Sequence, residues 1–570
     1  MNNHILIFDF EVFKYDWLVV IYDTATKEYI EIINNKSQLE KFFNDHKKYL
    51  WIGYNINHYD NVILKAILSD VDPYSVSKLI IEEDKKPWIV EKALKIKSLN
   101  FVSCDLMVDL LGVSLKELEA YMGMSIKESE IDFNIDRKLT EEEIKLTLRY
   151  CRHDVDATFK FLECRADDIK SKFILIKMFN LPLKTLSMTS AQIAAMVLEA
   201  EKIDHKEDAL IYDKPKELVL NKYTDMLWMY EKKLDYNDVY TTKIAGVEHI
   251  YAFGGLHGAI PNYKYIGEMW QIDATSFYPT MILQYHYIRN IKDFERYRYI
   301  YEERVKQKKI NKKISNALKL VLNATFGAMK ALFNKLFDEH NSNQICISGQ
   351  LFLTDLIEKI EPYCKLIQSN TDGIVVIPYD KEKIKEEISK FEKRTRIKFE
   401  IDICSGIWQK DVNNYIMLFE DGHVKTKGGY VSQYDAGLAD RKNMQICDIA
   451  IVDYFIHGTP VEDTINNCDD IFKFQIITKT GGTYLKTFWN VNNQKQEVQK
   501  INRVYAIKNF KYGNVVKMKI DAKGEKRYDS IANCPEHCYV DNDNQLTLKD
   551  IDKEWYINIA KKRIKDYEGE

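Results

Sequence analysis

The sequence lacks the features that would place it in a special class of protein. No run of about 18 apolar residues occurs, so we expect no membrane span. The first residues contain no basic segment followed by an apolar stretch, so we expect no signal peptide. The ten cysteines are irregularly spaced and do not indicate a disulfide framework. No repeat or low-complexity tract is visible. These absences together favour a protein of the reduced cytoplasm.

What is present indicates several folded domains. The 570 residues predict three to five domains, and a hydrophobic content of 46% excludes a mainly disordered chain. The net charge of −4 gives no indication of nucleic-acid binding, but the charge is segregated. Residues 304–335 hold nine basic and no acidic residues, and residues 473–519 hold ten basic residues, interleaved with aromatics, and one acidic residue. Such patches fit phosphate and base contacts, and they equally fit solvated faces balanced elsewhere in the fold.

Hydrophobic periodicity predicts an α/β organisation. Strand patterns alternate with helical ones over the first 60 residues. A helix is predicted over 140–165, with Thr140 and Glu143 as a capping box. Residues 292–327 predict two helices that turn near 309–311, and residues 366–377 predict a strand–turn–strand unit. Beyond residue 436 we expect short strands and loops and a charged final helix over 550–567.

A first set of acidic residues lies in the first 160 positions. Asp9 and Glu11 are two apart on the first predicted strand, so both side chains point to one face. Asp60 precedes an apolar helical segment, and Tyr150 and Asp154 are four apart on the predicted 140–165 helix. Each residue taken alone also fits a cap or a loop contact.

Together these segments resemble the DEDD 3′–5′ exonucleases of the tyrosine subtype. The matching segments, in family order, are Asp9-Phe-Glu11, Asn55-Ile-Asn-His-Tyr59-Asp60 and Tyr150-Cys-Arg-His-Asp154. The resemblance implies an RNase H-like domain in which the four acids hold two Mg²⁺ ions, because clustered carboxylates repel unless cations lie between them. It also implies that Tyr150 orients the attacking water and that Asn55 contacts the single-stranded 3′ end.

A second set of residues lies between positions 251 and 430. Alone, Asp273 fits a helix cap, Lys319 a solvated charge and Asp372 a turn former. In order, however, the segments resemble the motifs of family B DNA polymerases. They read Tyr251-Ala-Phe-Gly254-Gly255, Asp273-Ala-Thr-Ser276-Phe-Tyr278-Pro279, Lys319-Leu-Val-Leu-Asn323-Ala-Thr-Phe-Gly327, Asn370-Thr-Asp372-Gly and, more loosely, Lys425-Thr-Lys427-Gly-Gly-Tyr430.

This resemblance implies a right-hand polymerase with palm, fingers and thumb. Asp273 and Asp372 would hold two Mg²⁺ ions, for which Mn²⁺ could substitute. The implied nucleotide-binding residues are Ser276, Phe277, Tyr278, Arg304, Lys308, Lys319 and Asn323, with Tyr278 excluding a 2′-hydroxyl. The implied DNA-binding residues are Asn55, Tyr251, Gly254, Gly255, Lys427 and Tyr430.

The resemblance divides the chain into five ranges. Residues 1–170 form the exonuclease, 171–290 connecting helices and the first part of the palm, 291–327 the fingers, 328–435 the rest of the palm, and 436–570 a thumb-like region. Intervals of 46 residues from Asp273 to Lys319 and of 49 from Asn323 to Asp372 leave no room for the insertions of protein-primed relatives. We therefore expect a compact, monomeric phage-type replicase, acting in the host cytoplasm, that extends a nucleic-acid primer with dNTPs beside other replication proteins.

The sequence departs from the family at three positions. Asn370 replaces the first acid of its motif, and Ala324 and Phe326 replace a serine and a tyrosine. Asn370 motivates one alternative, an exonuclease with an inactive palm. The basic patches motivate another, a non-catalytic protein that binds primer–template DNA.

Three further features are given other interpretations. Lys116 is interpreted as a solvated charge, although exonuclease sites sometimes use a lysine, and Asp105 as a helix cap rather than a fifth acid. Cys534, His537 and Cys538 offer three metal ligands where structural zinc requires four, so we expect no zinc site.

Overall fold

The computed structural model describes residues 4–110, 112–204, 208–231 and 235–569. The chain is a mixed α/β protein with several sheets, and it divides into two compact units. Unit 1 comprises residues 1–189, 436–444 and 469–552, and unit 2 comprises residues 190–435, 445–468 and 553–570. The predicted thumb-like range is therefore shared between the two units.

The strands are numbered in chain order. They are β1 (Ile5–Val12), β2 (Trp17–Asp23), β3 (Glu28–Ile33), β4 (Leu50–Gly53), β5 (Val102–Asp105), β6 (Tyr240–Ile244), β7 (Val247–Tyr251), β8 (Leu256–Ala259), β9 (Tyr263–Ala274), β10 (Cys364–Thr371), β11 (Gly373–Pro378), β12 (Phe399–Asp411), β13 (Asn414–Phe419), β14 (Val424–Lys427), β15 (Ile476–Lys479), β16 (Lys486–Val491), β17 (Gln494–Val498), β18 (Ile501–Ala506), β19 (Tyr512–Ile520), β20 (Lys526–Ser530) and β21 (Cys538–Val540).

The α-helices are numbered in the same way. They are α1 (Lys36–His46), α2 (Asp60–Leu68), α3 (Pro73–Ile81), α4 (Pro87–Ala93), α5 (Leu115–Tyr121), α6 (Glu141–Cys164), α7 (Ala166–Phe179), α8 (Ser190–Val197), α9 (Leu227–Glu231), α10 (Phe277–Tyr285), α11 (Phe294–Ile310), α12 (Lys312–Met329), α13 (Glu339–Ile360), α14 (Lys381–Thr395), α15 (Gln445–His457), α16 (Val461–Asn466) and α17 (Lys553–Glu568). No helix in the described ranges has both the length and the apolar character needed to cross a membrane.

Unit 1 contains a five-stranded mixed sheet in the order β3-β2-β1-β4-β5. Strands β1, β4 and β5 are parallel, while β2 and β3 run antiparallel to their neighbours. The sheet carries an apolar core on each face. Leu6 and Phe8 of β1 belong to one core, and Ile7 belongs to the other together with Cys151 and Val155 of α6. Asp9 and Glu11 follow Ile7 at steps of two, so they lie on the face that α6 covers.

Helix α6 begins where the sequence predicts it. The Thr140 side chain accepts a hydrogen bond from the Glu143 backbone, and the Glu143 side chain accepts one from the Thr140 backbone, which confirms the capping box. The cap fixes the residue at which the helix begins and therefore which of its side chains contact β1.

The later part of unit 1 is all-β, with sheets in the orders β15-β18-β21 and β17-β16-β19-β20. The buried guanidinium of Arg503, on β18, donates hydrogen bonds to the backbone oxygens of Ala120 and Met124. This contact ties β18 to the end of α5, which lies beside the acidic residues described below.

Unit 2 is built on a nine-stranded antiparallel sheet in the order β14-β13-β12-β9-β11-β10-β8-β7-β6. Helices α11 and α12 form the hairpin predicted over 292–327, and Asn311 lies at the end of one and caps the start of the other. Strands β10 and β11 form the predicted strand–turn–strand unit, with Asp372 between them. Both local predictions are confirmed.

The expectation of only strands and loops between residue 436 and the final helix was wrong. Residues 445–457 form helix α15, and residues 461–466 form α16. The α15 segment, QICDIAIVDYFIH, is rich in β-branched residues and apolar on nearly every side, so it shows no helical period. It forms a helix because it is buried on several sides, against α16 and α17 among others.

Candidate active sites

The acidic residues of unit 1 meet where α6 crosses β1. The Cys151 thiol lies 3.4 Å from Asp9 Oδ2 and 3.3 Å from the Asp9 backbone oxygen, which fixes the helix against the strand. Single ligand atoms of Asp9, Glu11 and Cys151 all lie within 4.8 Å of one another. Asp154 is one turn beyond Tyr150 on the same helix and is 6% exposed. The predicted same-face arrangement of these residues is thus present.

Asp60 joins the cluster from a third element. It is the first residue of α2, and its Oδ1 accepts a 2.9 Å hydrogen bond from the backbone NH of Phe10, which lies between Asp9 and Glu11. The N-cap position of α2 belongs to Tyr59, whose side chain makes no cap hydrogen bond. Asp60 therefore points toward the end of β1 rather than capping its own helix.

The electrostatics of this cluster favour bound cations. Burial, followed by repulsion from the neighbouring acids, raises the pKa values of Asp9 and Glu11 well above their ordinary range. Burial likewise raises the pKa of Asp60 to about 7 and that of Asp154 to about 6. Four ionised carboxylates held this close repel one another, and a cation between them would relieve the repulsion. Carboxylate oxygens are also ligands that Mg²⁺ prefers, so the residues fit the implied ions.

Lys116 is part of this cluster, so its interpretation as a solvated charge was wrong. Its Nζ donates to Asp154 Oδ1 at 2.5 Å and to Glu119 Oε1 at 3.0 Å, and its side chain is only 13% exposed. Burial alone would lower the pKa of Lys116, but Asp154 and Glu119 raise it above its ordinary value. The ammonium group is buried because α5 packs beside α6 and places Lys116 against Asp154.

Tyr150 lies beside the same lysine. The Lys116 Nζ is 4.5 Å from the centre of the Tyr150 ring. Burial and then the charge of Asp154 raise the pKa of Tyr150 far above its ordinary value. The phenol therefore keeps its proton and can donate a hydrogen bond.

Asn55 lies in the loop that precedes α2, with a positive φ of 63°. The Asp105 carboxylate holds this loop, since it accepts hydrogen bonds from the backbone NH groups of Asn55 and Asn57, each at 2.9 Å. Asp105 also accepts from the backbone of Met107. It is not a helix cap but the residue that shapes the Asn55 loop, and its charge also contributes to the raised pKa of Asp60.

In unit 2, Asp273 lies near the end of β9, and Asp372 lies in the turn that leads into the neighbouring strand β11. Asp273 is paired with Gly373 across β9 and β11. The backbone NH of Ala274 donates a hydrogen bond to the backbone oxygen of Asp372 at 2.8 Å. Burial and then the charge of Asp273 raise the pKa of Asp372, and burial also raises the pKa of Asp273. The two predicted palm acids are therefore brought together by strand register.

Two glycines let other chain segments approach this pair. A Cβ on Gly373 would lie 1.8 Å from Asp273 Oδ1, and a Cβ on Gly255 would lie 2.6 Å from Thr371 Oγ1. Thr371 itself has a φ of 63°, a strained value for a β-branched residue and one that is concentrated at functional sites. The turn that carries Asp372 is thus held in an unusual conformation by close backbone packing.

A cavity of about 400 Å³ opens over the acids. Lys425 and Lys427 of β14 line it, and Lys425 opposes the raised pKa values of both Asp273 and Asp372. The Lys427 Nζ lies 3.3 Å from Asn370 Oδ1, while the Asn370 amide donates to the Val412 backbone oxygen at 3.2 Å. The remaining lining residues are Gln271, Gln368, Thr371, Gly373, Ile374, Val375, Tyr415 and Met417.

The segment after Asp273 turns into α10. Ser276 has a φ of 52°, and its hydroxyl accepts a hydrogen bond from Arg304 of α11. Phe277 is buried where Gly349 leaves room for its ring. Tyr278 stacks on Phe326, with ring centres 4.1 Å apart. Burial and, to smaller degrees, Cys346 and Asp372 raise the pKa of Tyr278.

The remaining predicted nucleotide contacts lie on the helical hairpin. Lys319 and Asn323 are exposed and one turn apart on α12. Lys308 of α11 pairs with Glu400 at 3.2 Å, and Glu400 is the cross-strand neighbour of Asp273. The structure thus brings Lys308 toward Asp273 and leaves Lys319 and Asn323 facing solvent.

Three predicted DNA contacts are engaged in interactions within the protein. Tyr251 is completely buried and shares a 2.6 Å hydrogen bond with Thr354. The Tyr430 hydroxyl donates to Asp566 of α17 at 3.1 Å. In the same turn as Tyr251, the backbone oxygen of Gly254 accepts from the Gln350 side chain at 2.8 Å. These three residues support the fold around the nine-stranded sheet of unit 2.

Sequence reasoning missed three residues of these sites. Lys116 was assigned to solvent, Lys425 was quoted only as part of a motif, and Gly373 was given no role. The signal for Gly373 was its position directly after Asp372, where the family has a serine. For the two lysines, the sequence shows only a short helix and a short strand, and the acids that they approach, Asp154 for Lys116 and Asp273 for Lys425, are distant in the chain.

The comparisons with known proteins add little to this geometry. No protein-family model and no curated protein matches the chain. Among solved structures, the family B DNA polymerase from the hyperthermophilic archaeon Pyrobaculum calidifontis is similar to it, with a TM-score of 0.45 and 12% sequence identity over 100% of this chain and 78% of that chain. A likeness of this size assigns no function, which must be argued from the two acidic sites.

Proposed function

We propose that the chain is a DNA-dependent DNA polymerase with a proofreading 3′–5′ exonuclease, of the compact phage type. The observation that carries the proposal is the presence of two carboxylate sets, each on its own sheet. Asp273 lies on β9 of unit 2, and Asp372 lies in the turn that leads into β11, the strand paired with β9. The other set gathers Asp9, Glu11 and residues of two helices at β1 of unit 1.

Mg²⁺ bound by each set would lower the pKa of the attacking oxygen and neutralise charge on the phosphate. In unit 2, the protein's own groups position the substrates around Asp273 and Asp372. Arg304 holds the Ser276 hydroxyl, which fixes the start of α10. The Tyr278 ring, which stacks on Phe326, would form a planar surface against the sugar of an incoming nucleotide. A 2′-hydroxyl would collide with that surface, so the site would select dNTPs.

Lys425 and Lys427 supply positive charge on the other side of the cavity. Their ammonium groups would contact the phosphates of the primer strand, and Lys308, Lys319 and Asn323 would contact the triphosphate from the helical hairpin. In unit 1, Tyr150 would donate a hydrogen bond that orients the attacking water, and Asn55 would contact the single-stranded 3′ end.

The second candidate function is an exonuclease with an inactive palm, because Asn370 stands where the related polymerases carry an acid. The contacts of Asn370 argue against it. The amide nitrogen donates to Val412, and the oxygen accepts from Lys427. A carboxylate would lose the first of these hydrogen bonds, so the asparagine fits its surroundings and leaves the Asp273–Asp372 pair intact.

The test is extension of a 5′-labelled DNA primer annealed to a template, in Mg²⁺, with and without dNTPs. We expect longer products with dNTPs and stepwise shortening of the primer without them. Shortening without extension would support the second candidate. DNA binding with neither reaction would indicate a non-catalytic binding protein and overturn the proposal. Efficient extension of an unmodified DNA primer would also support nucleic-acid priming.

A further inference from the structure

Lys116 is a positive charge enclosed among acids that would bind metal. Its Nζ lies 2.5 Å from Asp154 Oδ1, in the position of a counter-ion, and its side chain is 13% exposed while that of Asp154 is 9% exposed. A buried carboxylate is stabilised by such a partner when no other cation is present. Lys116 is therefore a counter-ion of Asp154 that the protein itself supplies.

The surrounding structure holds the lysine in this place. Glu119, which is completely buried, accepts from the Lys116 Nζ at 3.0 Å. Helix α5 starts with a capping box between Ser114 and Glu117, and the Glu117 carboxylate pairs with Lys479 of β15 at 2.8 Å. The lysine is thus fixed at both its tip and its helix, unlike a mobile surface charge.

We propose that Lys116 is a built-in cation that shares Asp154 with the divalent ion of the exonuclease site and thereby sets how much metal the site requires. This inference rests on the proposed exonuclease function. If an ammonium and a divalent ion that share one carboxylate were about 5 Å apart, their repulsion would correspond to roughly tenfold in affinity even at the dielectric constant of water, ~80. Lys116 acts through Asp154, so it is a positioning residue and not a catalytic one.

The proposal predicts that charge, and not shape, at position 116 controls metal affinity. Lys116→Met keeps the length of the side chain and removes its charge, so Mn²⁺ should bind at least tenfold more tightly. Lys116→Gln should act in the same direction and provides a second variant if the first folds poorly. Lys116→Arg keeps the charge and should retain the affinity of the parent protein within about twofold.

The measurement is Mn²⁺ binding by electron paramagnetic resonance of the free ion, in the full-length chain. An Asp273→Asn, Asp372→Asn background removes the second acidic set, so that the remaining sites are those of unit 1. Lys65→Met is the matched control, since Lys65 is a half-buried lysine of the same unit that pairs with Glu91 at 2.8 Å, and it should leave the affinity unchanged.

The outcomes separate this inference from the proposed function. Tighter Mn²⁺ binding in both neutral variants, with no change in Lys116→Arg, supports it, as does a fall of at least tenfold in the Mg²⁺ concentration that half-saturates primer degradation. Unchanged or weaker binding in the neutral variants overturns the inference while degradation by the parent protein still supports the exonuclease. No Mn²⁺ binding in the background protein, together with no degradation, overturns both.

Discussion

Gly373 lies directly opposite Asp273 on paired strands, and any side chain at Gly373 would enter the space of the Asp273 carboxylate. Gly373 directly follows Asp372 in sequence. The two residues therefore supply one carboxylate and leave space for the second, that of Asp273. The geometry of the Asp273–Asp372 pair therefore depends on the missing side chain at Gly373 as much as on the two carboxylates.

Gly373→Ala is expected to abolish most DNA synthesis. The new Cβ would lie 1.8 Å from Asp273 Oδ1, so the Asp273 carboxylate must move from its present position. A displacement of about 1 Å at a reacting centre costs roughly 10²-fold in rate. Single-nucleotide incorporation should fall by about that factor while primer degradation is unchanged.

Gly437→Ala is the control for this substitution, because a Cβ at Gly437 would meet open space. It should leave both reactions as they are. Full synthesis by Gly373→Ala would show that the Asp273 carboxylate does not need the position it has in this structure.

The buried His249 predicts a pH-dependent stability of unit 2. Its side chain is 0% exposed, lies between the Val247 backbone oxygen and the Ser369 hydroxyl, and burial lowers its pKa to about 4 from 6.5. Because the unfolded chain takes up the proton first, the histidine's contribution is fully present above pH 6.5. It is lost as the pH falls toward 4.

The expected loss is about 3 kcal/mol of unfolding free energy between pH 7 and pH 4, at 1.36 kcal/mol for each pH unit between the two pKa values. Urea titrations at several pH values measure it. His249→Gln should flatten this part of the pH dependence, whereas His423→Gln, at an exposed position, should not. An equal slope in His249→Gln and the parent protein would contradict the assignment.

Arg503 is expected to hold the β-rich part of unit 1 to helix α5. Its fully buried guanidinium donates to Gln475 and to the backbone oxygens of Ala120 and Met124. Arg503→Met would leave these buried acceptors without a donor, at about 1–3 kcal/mol each. Unit 1 should lose about 3 kcal/mol or more of stability, measured by calorimetry.

Arg527→Met is the comparison for Arg503→Met. Arg527 is 64% exposed and pairs with Asp529 at 3.0 Å, so its loss should cost under about 1 kcal/mol. Equal effects of the two substitutions would mean that the buried hydrogen bonds of Arg503 do not hold the unit together.

The sequence predicted local elements well and distant contacts poorly. The start of α6 and the α11–α12 hairpin follow from caps and periodicity within a few residues, which a sequence displays directly. Helix α15 was missed because burial on several sides removes the polar stripe that marks a helix. The packing of α15 against α16 and α17 depends on the tertiary structure, and the sequence pattern of α15 does not reveal it.

The candidate sites divide in the same way. The shared face of Asp9 and Glu11 follows from the two-residue period of a strand. The contact of Lys116 with Asp154 spans 38 residues and depends on how α5 packs beside α6. Motif resemblance gave Tyr251 and Tyr430 a role in DNA binding but could not show that one is buried and the other is hydrogen-bonded to α17.

The central claim is that each acidic set performs its own reaction, and Asp372→Ala and the double variant Asp9→Ala, Glu11→Ala test it most directly. Both are assayed on one 5′-labelled primer–template in Mg²⁺, with and without dNTPs, after circular dichroism shows that they are folded. We predict that Asp372→Ala shortens the primer at the parental rate without extending it, and that the double variant extends it without shortening it. Loss of both reactions in either folded variant, or retention of both, would contradict the account.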